Sequence, residues 1–469
     1  MPLNGQRREN RACNESEIAC KKIGPFGHRR TLPRGAVDPS WVVTIQPAAR
    51  TAAAPRRTWV VASGLAASFS YNLATVREIV DPISICFAAR NCRWGLGSGA
   101  AYWLSRKAGA EVLGIEQFEI GHVRGESQDH SRIIRLSYHN VAYVELAKLA
   151  YDAWDTLQRE SGDQVVLKTG GLDFAKHDTK IPLDTYRSAM SACNVEYEDL
   201  DADEIMQRWP QFTLSDDIEG LFQEDSGIAM AARANAAHQK MARANGATLI
   251  DNTPVTNITT SGNEVTVETP SGAFTCRKLV IAAGPWSNRA LGYLGVELPL
   301  EVTREQVTYF AAKRPEDFAP DRFPVWIWMD DPCFYGFPTF GEAGPKAAQD
   351  AGGLPTTADT RDFEVEPVNL RGVEEFLSRY IPGALGPIIY TKTCLYTLTP
   401  DRDFVIDTVP GHENVVVAIG AGHAFKFASQ IGRLLSELAL DGKSTIDLTP
   451  FALDRPILKM KNPPKNYMQ

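Results

Sequence analysis

The stretch WGLGSGAAYWLSRKAGAEVLGIEQF, from Trp94 to Phe118, places three signals side by side. Gly95, Gly97 and Gly99 crowd the front of a helical segment, AAYWLSRKAG, which stops at a glycine; AEVLGIEQF follows as a short apolar strand with Glu116 near its end. Glycines there permit a tight turn and let a pyrophosphate approach backbone N–H groups at a helix N-terminus, where peptide dipoles favour negative charge. Glu116 lies twenty-one residues after Gly95, a spacing at which an acid can bind ribose hydroxyls. The pattern reads as the opening of a dinucleotide-binding unit. Its glycines run G-x-G-x-G, one residue short of G-x-G-x-x-G, and NCRW precedes Gly95 where an apolar strand is expected to run into the turn. A helix advances about 100° per residue, so the missing residue rotates the face laid on the sheet. On this motif alone, an ordinary glycine turn fits equally well.

The pattern recurs. RKLVIAAGPW is a buried strand ending in glycine. NVVVAIGAGHAFKFASQIGRLLSELALDGK runs strand, glycine turn and helix, with Ile431, Leu434, Leu435 and Leu438 at core spacing. VAYVELAKLAYDAWDTLQ, from Val141 to Gln158, sets Tyr143, Leu146, Ala150, Ala153 and Leu157 on one helical stripe. Repeated strand, glycine turn and helix point to an α/β fold with a parallel sheet that binds a nucleotide.

At 469 residues the chain exceeds one ordinary core, so two domains are expected. A formal charge of −8 argues against nucleic acid or an anionic membrane as partner and leaves small molecules. The eight cysteines include no C-x-x-C pair, which argues against a metal site or a disulfide framework and suits a reducing, cytoplasmic setting. Residues 1–89 differ from the rest. Met1 to Val60 holds eleven Lys or Arg against four acids and no sustained apolar period, and reads as disordered or loosely attached. Arg56 and Arg57 then precede TWVVASGLAASFSYNLATV, which has the basic-then-apolar order of a signal or transit sequence and is too polar for a membrane span; it reads as organellar targeting matter or, equally, as sequence that does not belong to the folded protein.

Several side chains stand out for chemistry. In SRIIR, Arg132 and Arg135 are three apart, so in a helical turn they share a face and can hold a carboxylate and a second anion; the bland alternative is a solvated surface pair. Lys346 follows FYGFPTFGEAGP, and Lys426 sits between Phe425 and Phe427. Each either extends its ammonium to water or is held in a low-dielectric site facing negative charge. Cys394, in KTCLYTLTPDRDF, follows Lys392 and precedes Tyr396.

From about Gly95 to Leu458 the chain resembles the monomeric sarcosine oxidase family of flavoproteins, which includes N-methyltryptophan and pipecolate oxidases. The likeness is carried in order by GLGSG…GIEQF, GESQDHSRIIRLSY, FYGFPTFGEAGPK, KTCLYTLTPDRDFVID and GAGHAFKFAS. It implies an FAD-binding, Rossmann-like domain of glutathione-reductase type over residues 90–162, 225–300 and 403–469. An antiparallel-sheet substrate domain over 163–224 and 301–402 is interleaved with it, after the extension at 1–89. It further implies that Cys394 is joined through sulfur to the flavin, a reaction that cations such as Lys392 favour. Arg132 would lie against the isoalloxazine ring and Lys346 near N5. Arg135 and Lys426 would bind the substrate carboxylate, with Tyr335, Tyr396 and Trp326 lining the cavity. Gly95, Gly97, Gly99, Glu116, Ser131, Val255, Ala283, Gly284, Trp286, Gly422 and His423 would hold FAD, the helix after His423 aiming its positive end at the reduced ring. Gln128 and Asp350 stand where the sarcosine enzymes carry histidines, and Trp326 where a methionine is usual. The implied reaction is oxidation of an N-methyl or cyclic secondary amino acid by hydride transfer to FAD, with oxygen giving hydrogen peroxide, in a monomer. A dehydrogenase with another acceptor and a non-catalytic relative are the alternatives.

Overall fold

The computed structural model describes residues 83–89 and 95–464, all within the unit Val76–Gln469. The targeting-like stretch, residues 1–82 and the NCRW segment lie outside the described residues. Two sheets dominate. The first has eight strands in the order Asn257–Ser261, Glu264–Thr269, Gly272–Ile281, Ile83–Ala89, Val112–Glu116 and Thr248–Ile250; His412–Ile419 pairs with Gly272–Ile281, and Val405–Val409 pairs with it in turn. Ile83–Ala89 is parallel to both its neighbours and ties the sheet together. It is the apolar strand expected directly before the glycines, displaced upstream into the stretch assigned to the extension.

Gly272–Ile281 and His412–Ile419 bury both faces where they pair, as a parallel sheet requires. Val280, Ala282, Val416 and Ala418 pack with Leu104, Ile431, Leu434 and Leu435 on one side. Leu279, Ile281, Val415 and Val417 pack with Trp286 and Leu291 on the other. Burying each such Leu or Ile contributes roughly 1.5–3 kcal/mol. The helix Val141–Ser161 buries Tyr143, Leu146, Ala150, Ala153 and Leu157, the stripe its sequence spacing calls for. Asn140 caps it by accepting the Tyr143 N–H at 3.0 Å, and Gly162 ends it at φ 74°.

The helix Gly95–Ala108 begins at Gly95 itself, so Gly97 and Gly99 are helical residues rather than a turn ahead of the helix. A Cβ on Gly99 would lie 2.4 Å from the Ala428 carbonyl oxygen, and one on Gly432 would lie 2.3 Å from the Gly99 carbonyl carbon. Gly99 therefore serves a near-backbone crossing with the helix Ala428–Asp441.

The second sheet has nine strands in the order Leu354–Pro355, Glu301–Phe310, Lys346–Gln349, Phe334–Phe337, Val325–Trp328, Gly171–Lys176, Ile218–Gln223 and Glu198–Asp201, with Ile388–Leu398 also on Glu301–Phe310. It is antiparallel except between Val325–Trp328 and Gly171–Lys176. These two strands are joined by a long excursion through the first sheet, which leaves either direction open. A small third sheet joins Arg132–Ile134, Gly227–Ala229 and Val166–Lys168. Arg132 is thus in a strand, not the helical turn that its spacing from Arg135 suggests.

The glycine crossing yields a test. Gly432→Ala forces backbone apart at a cost of about 1–3 kcal/mol and is expected to lower the melting temperature by several degrees. Gly292→Ala, with no neighbour within 4 Å of the added methyl, is expected to leave it nearly unchanged in the same thermal scan.

Candidate active site

Between the two sheets lies a cavity. Its wall takes the loop before Arg132, the strands Phe334–Phe337, Lys346–Gln349 and Ile388–Leu398, and the segment that follows His412–Ile419. It brings together Arg132, Arg135, Ser131, Tyr335, Lys346, Cys394, Tyr396, Gly422, His423 and Lys426, from well-separated parts of the chain. Trp326 is not among them. Strand side chains alternate, so Ile327 faces the cavity while Trp326 turns away to stack on Phe376, ring centres 5.4 Å apart.

At one end, Arg132 is fastened to three carbonyls: Ser131 at 2.8 Å, Glu126 at 2.7 Å and Gln128 at 2.6 Å. The Lys346 ammonium is buried and donates to Asp129 Oδ2 at 3.0 Å, Ser131 Oγ at 2.6 Å and Ser131 O at 3.1 Å. Burial pulls Lys346 down to about 8, Asp129 opposing and Arg132 reinforcing the shift. Burial pushes Asp129 up, but Lys346, Arg132 and Lys392 outweigh it and hold the carboxyl below the usual range. Cys394, opposite Glu305 in strand register, is pushed up to about 12 by burial, with Arg132 and Arg361 opposing. The cation expected to favour its thiolate, Lys392, instead lies 3.6 Å from Asp129.

At the other end, Arg135 Nη1 donates to both oxygens of Asp173 at 3.2 and 3.1 Å, and Ser137 Oγ donates to the same carboxylate at 2.6 Å. The Arg135 Nε is buried without a hydrogen-bond partner among the described residues. Burial, reinforced by Arg135, pulls Lys426 down to about 7. Tyr396 donates to Asp350 at 3.4 Å, and Asp350 pairs with buried Arg402 at 3.2 Å. His423 bonds the Arg402 carbonyl through Nε2 at 2.8 Å; burial, Lys426 and Arg402 keep it well below the ordinary histidine range, so it is neutral and Nε2–H donates. This end presents fixed cations over a short span, which suits a carboxylate. Asp129, Asp173 and Arg402 were not legible as site residues. They come from separate segments; Asp129 and Arg402 lie within quoted blocks, but nothing there separates them from their polar neighbours.

The remaining candidates sit in the first sheet, near the carboxyl ends of its parallel strands, where such sheets bind ligands. Ala89 and Glu116 share a register position, and Ala88 pairs with Ile281. Glu116 is fully buried; its Oε1 accepts the Phe118 N–H at 3.0 Å and lies 3.4 Å from His122 Nε2. Its carbonyl accepts the Thr253 N–H at 2.8 Å, bringing buried Val255 close behind. Ala283, Gly284 and Trp286 cap the end of Gly272–Ile281; Gly284 has φ 45°, and Trp286 Nε1 donates to Asp359 at 2.9 Å. Gly95 abuts Ser127 and Phe425, so this strand-end region continues into the cavity wall. Among the described residues no group of His, Cys, Asp and Glu is arranged to hold a metal ion, and no helix is long and apolar enough to cross a membrane.

Residues 95–438 match the model of a family described as FAD dependent oxidoreductase. The chain is 33% identical over 372 residues to monomeric sarcosine oxidase of Arthrobacter sp. (strain TE1826), covering 78% of this chain and 95% of that protein. It is 33% identical over 367 residues to N-methyl-L-tryptophan oxidase of Escherichia coli O157:H7, covering 77% and 96%. Among solved structures it is similar to NikD, an unusual amino acid oxidase essential for nikkomycin biosynthesis, in its open form: TM-score 0.69, 25% identity, covering 79% and 96% of the two chains.

Binding of a carboxylate at this end is expected to depend on pH through Lys426. It is charged below about 7 and neutral above, so affinity for a small carboxylate such as acetate is expected to fall as pH rises from 6 to 8, roughly tenfold if only the ammonium form binds. Calorimetric titration checks this, and Lys426→Met is expected to bind weakly with a flat profile over the same range.

Proposed function

The chain belongs to the FAD-dependent oxidoreductase family, and from that premise we propose that it is an oxidase of N-methylated or cyclic secondary amino acids with oxygen as acceptor. The observation that carries this reading is one cavity with two cationic ends, Arg132 with Lys346 beside Cys394, and Arg135 with Lys426. Such an arrangement grips an amino acid by its carboxylate while presenting positive charge to an electron-rich ring.

The residues present fit FAD. A Cβ on Gly422, at φ 83°, would lie 2.7 Å from the Tyr396 ring, so bare backbone borders the cavity there. Arg132, Lys346 and Lys392 exceed the charge of Asp129, which suits an anionic isoalloxazine. Glu116, Val255 and Ala283 to Trp286 stand at the strand ends where the adenosine half is expected. When bound, FAD supplies the two-electron acceptor that takes a hydride from the carbon beside the amine and passes the electrons to oxygen, giving hydrogen peroxide. Arg135 and Lys426 hold the carboxylate, and Tyr335 and Tyr396 wall the amine side. Arg132, tied to three carbonyls, cannot swing, so its charge needs no reorganisation during the reaction. Lys346 supplies positive charge where oxygen is reduced.

The finer assignments belong to the same proposal. Cys394 would be the residue that holds FAD through its sulfur, with Arg132 and Arg361 the cations that oppose the upward shift of its thiol. The FAD domain comprises 90–162, 225–300 and 403–469 together with the strand Ile83–Ala89, and the substrate domain comprises 163–224 and 301–402. The protein works as a cytoplasmic monomer.

Acid precipitation tests the attachment. The native pellet is expected to be yellow, and that of Cys394→Ser colourless with the flavin left in solution; a yellow pellet from the variant removes Cys394 from this role. Peroxide released on adding sarcosine or N-methyltryptophan separates an oxidase from a dehydrogenase, and a colourless native protein with no spectral response to either indicates a non-catalytic relative. Lys346→Met is expected to slow oxygen consumption on the order of 100-fold while slowing anaerobic flavin reduction far less, as stopped-flow absorbance distinguishes.

A further inference from the structure

Asp129 faces three of the cavity's cations, Lys346, Arg132 and Lys392. It is 4% exposed and sits at φ 84°, a backbone region that side chains other than glycine enter only when their surroundings hold them there. The surroundings are specific. Tyr309 donates its hydroxyl to both Asp129 oxygens at 2.9 and 3.0 Å, Lys346 donates at 3.0 Å, and Lys392 lies at 3.6 Å. These partners come from three strands of the second sheet, Glu301–Phe310, Lys346–Gln349 and Ile388–Leu398, while Asp129 itself belongs to the loop that delivers Arg132. An ammonium has three N–H groups, and those of Lys346 meet Asp129, Ser131 Oγ and Ser131 O. Lys346 therefore contributes charge to the cavity rather than a spare hydrogen bond.

We propose that Asp129 is a positioning residue that clamps the Lys346 ammonium to the cavity wall and keeps it protonated. This rests on the oxidase reading for its catalytic meaning, though not for its test. The other groups facing Lys346 do not replace it. Arg132 repels the ammonium, Lys392 is a second cation, Tyr309 and Tyr335 are neutral phenols, Cys394 is uncharged as a thiol or a thioether, and the Phe337 ring face lies 4.0 Å away. Of the further acids, Glu342 is paired with His130 at 3.0 Å, whose ring packs on Tyr309, and Glu126 in the cavity wall faces Arg132, burial pushing its carboxyl up. Removing the Asp129 charge leaves burial and Arg132 acting together on Lys346, both toward the neutral amine.

The test follows the Lys346 Nζ resonance in holoenzyme carrying ¹⁵N-lysine, assigned by its absence in Lys346→Met, as pH is raised from 5.5 to 10. Asp129→Asn and Asp129→Gly are both expected to weaken proton binding at Lys346 at least tenfold, and the pH profile of flavin reoxidation by oxygen is expected to shift the same way. Asn tolerates the backbone conformation and Gly relieves it, so melting temperatures near the native value show that the shift is electrostatic. Tyr309→Phe, which leaves the carboxylate one donor fewer, is expected to hold or strengthen proton binding at Lys346. An unmoved lysine titration in the two Asp129 variants, or a weakened one in Tyr309→Phe, overturns the proposal. Lysine titration is read without turnover, so absence of peroxide in a protein whose lysine shifts as expected counts against the oxidase reading alone.

Discussion

Positive charge buried between two sheets is the constraint on which the rest of this molecule depends. An isolated ammonium or guanidinium cannot be taken out of water without severe cost, and removing the partner of a buried ion pair costs about 3–5 kcal/mol. The fold meets this with acids on separate segments: Asp129 for Lys346, Asp173 for Arg135 and Asp350 for Arg402. Arg132 is compensated differently, by carbonyl oxygens that orient it without cancelling its charge. What remains is a cavity that is positive at both ends and rigid at each.

That rigidity is inherited from the packing beneath it. Gly99 and Gly432 let the helices Gly95–Ala108 and Ala428–Asp441 cross at backbone distance, and the segment from Gly420 to Lys426 leads from the first sheet into the second of these helices. Trp154 donates to the Lys426 carbonyl at 2.7 Å, fixing the backbone of the substrate-side lysine to the helix Val141–Ser161. On the opposite wall, Cys394 and Lys392 ride on one long strand paired along most of its length with Glu301–Phe310. Each charged side chain projects from backbone that is itself held by a sheet or a helix crossing, so small displacements at the site would have to move whole elements.

The balance of charges also separates the two ends chemically. Lys346 retains an acid partner and titrates near 8, whereas Lys426, reinforced in its shift by Arg135, titrates near 7. One end is therefore persistently charged near neutrality, and the other gains or loses charge with its surroundings. An anion placed beside Lys426 would favour its protonated form, so anion and proton binding would be coupled at that end.

Periodicity and short motifs were enough to determine the α/β class, the buried stripe of Val141–Ser161 and the strand-turn-helix recurrence, because these express interactions between residues a few positions apart. The ordered motif blocks were enough to point to a flavoprotein and to most of the cationic side chains. Local patterns failed where distant segments decide the outcome. Arg132 and Arg135 are spaced for a helix, yet Arg132 opens a strand pairing with Gly227–Ala229 and Arg135 follows its end. Trp326 is in the right strand but on its far face, because a single-residue register chooses which side chain reaches the cavity. The glycines of GLGSG turned out to include one that serves a helix crossing with a segment more than three hundred residues away. Asp129 lies within GESQDHSRIIRLSY, yet nothing in that block separates it from its polar neighbours. Its significance comes from three strands converging on it, and electrostatic partners chosen across a sheet are settled by tertiary geometry, since burial and distance set the strength of a charge interaction and neither is a property of sequence neighbours.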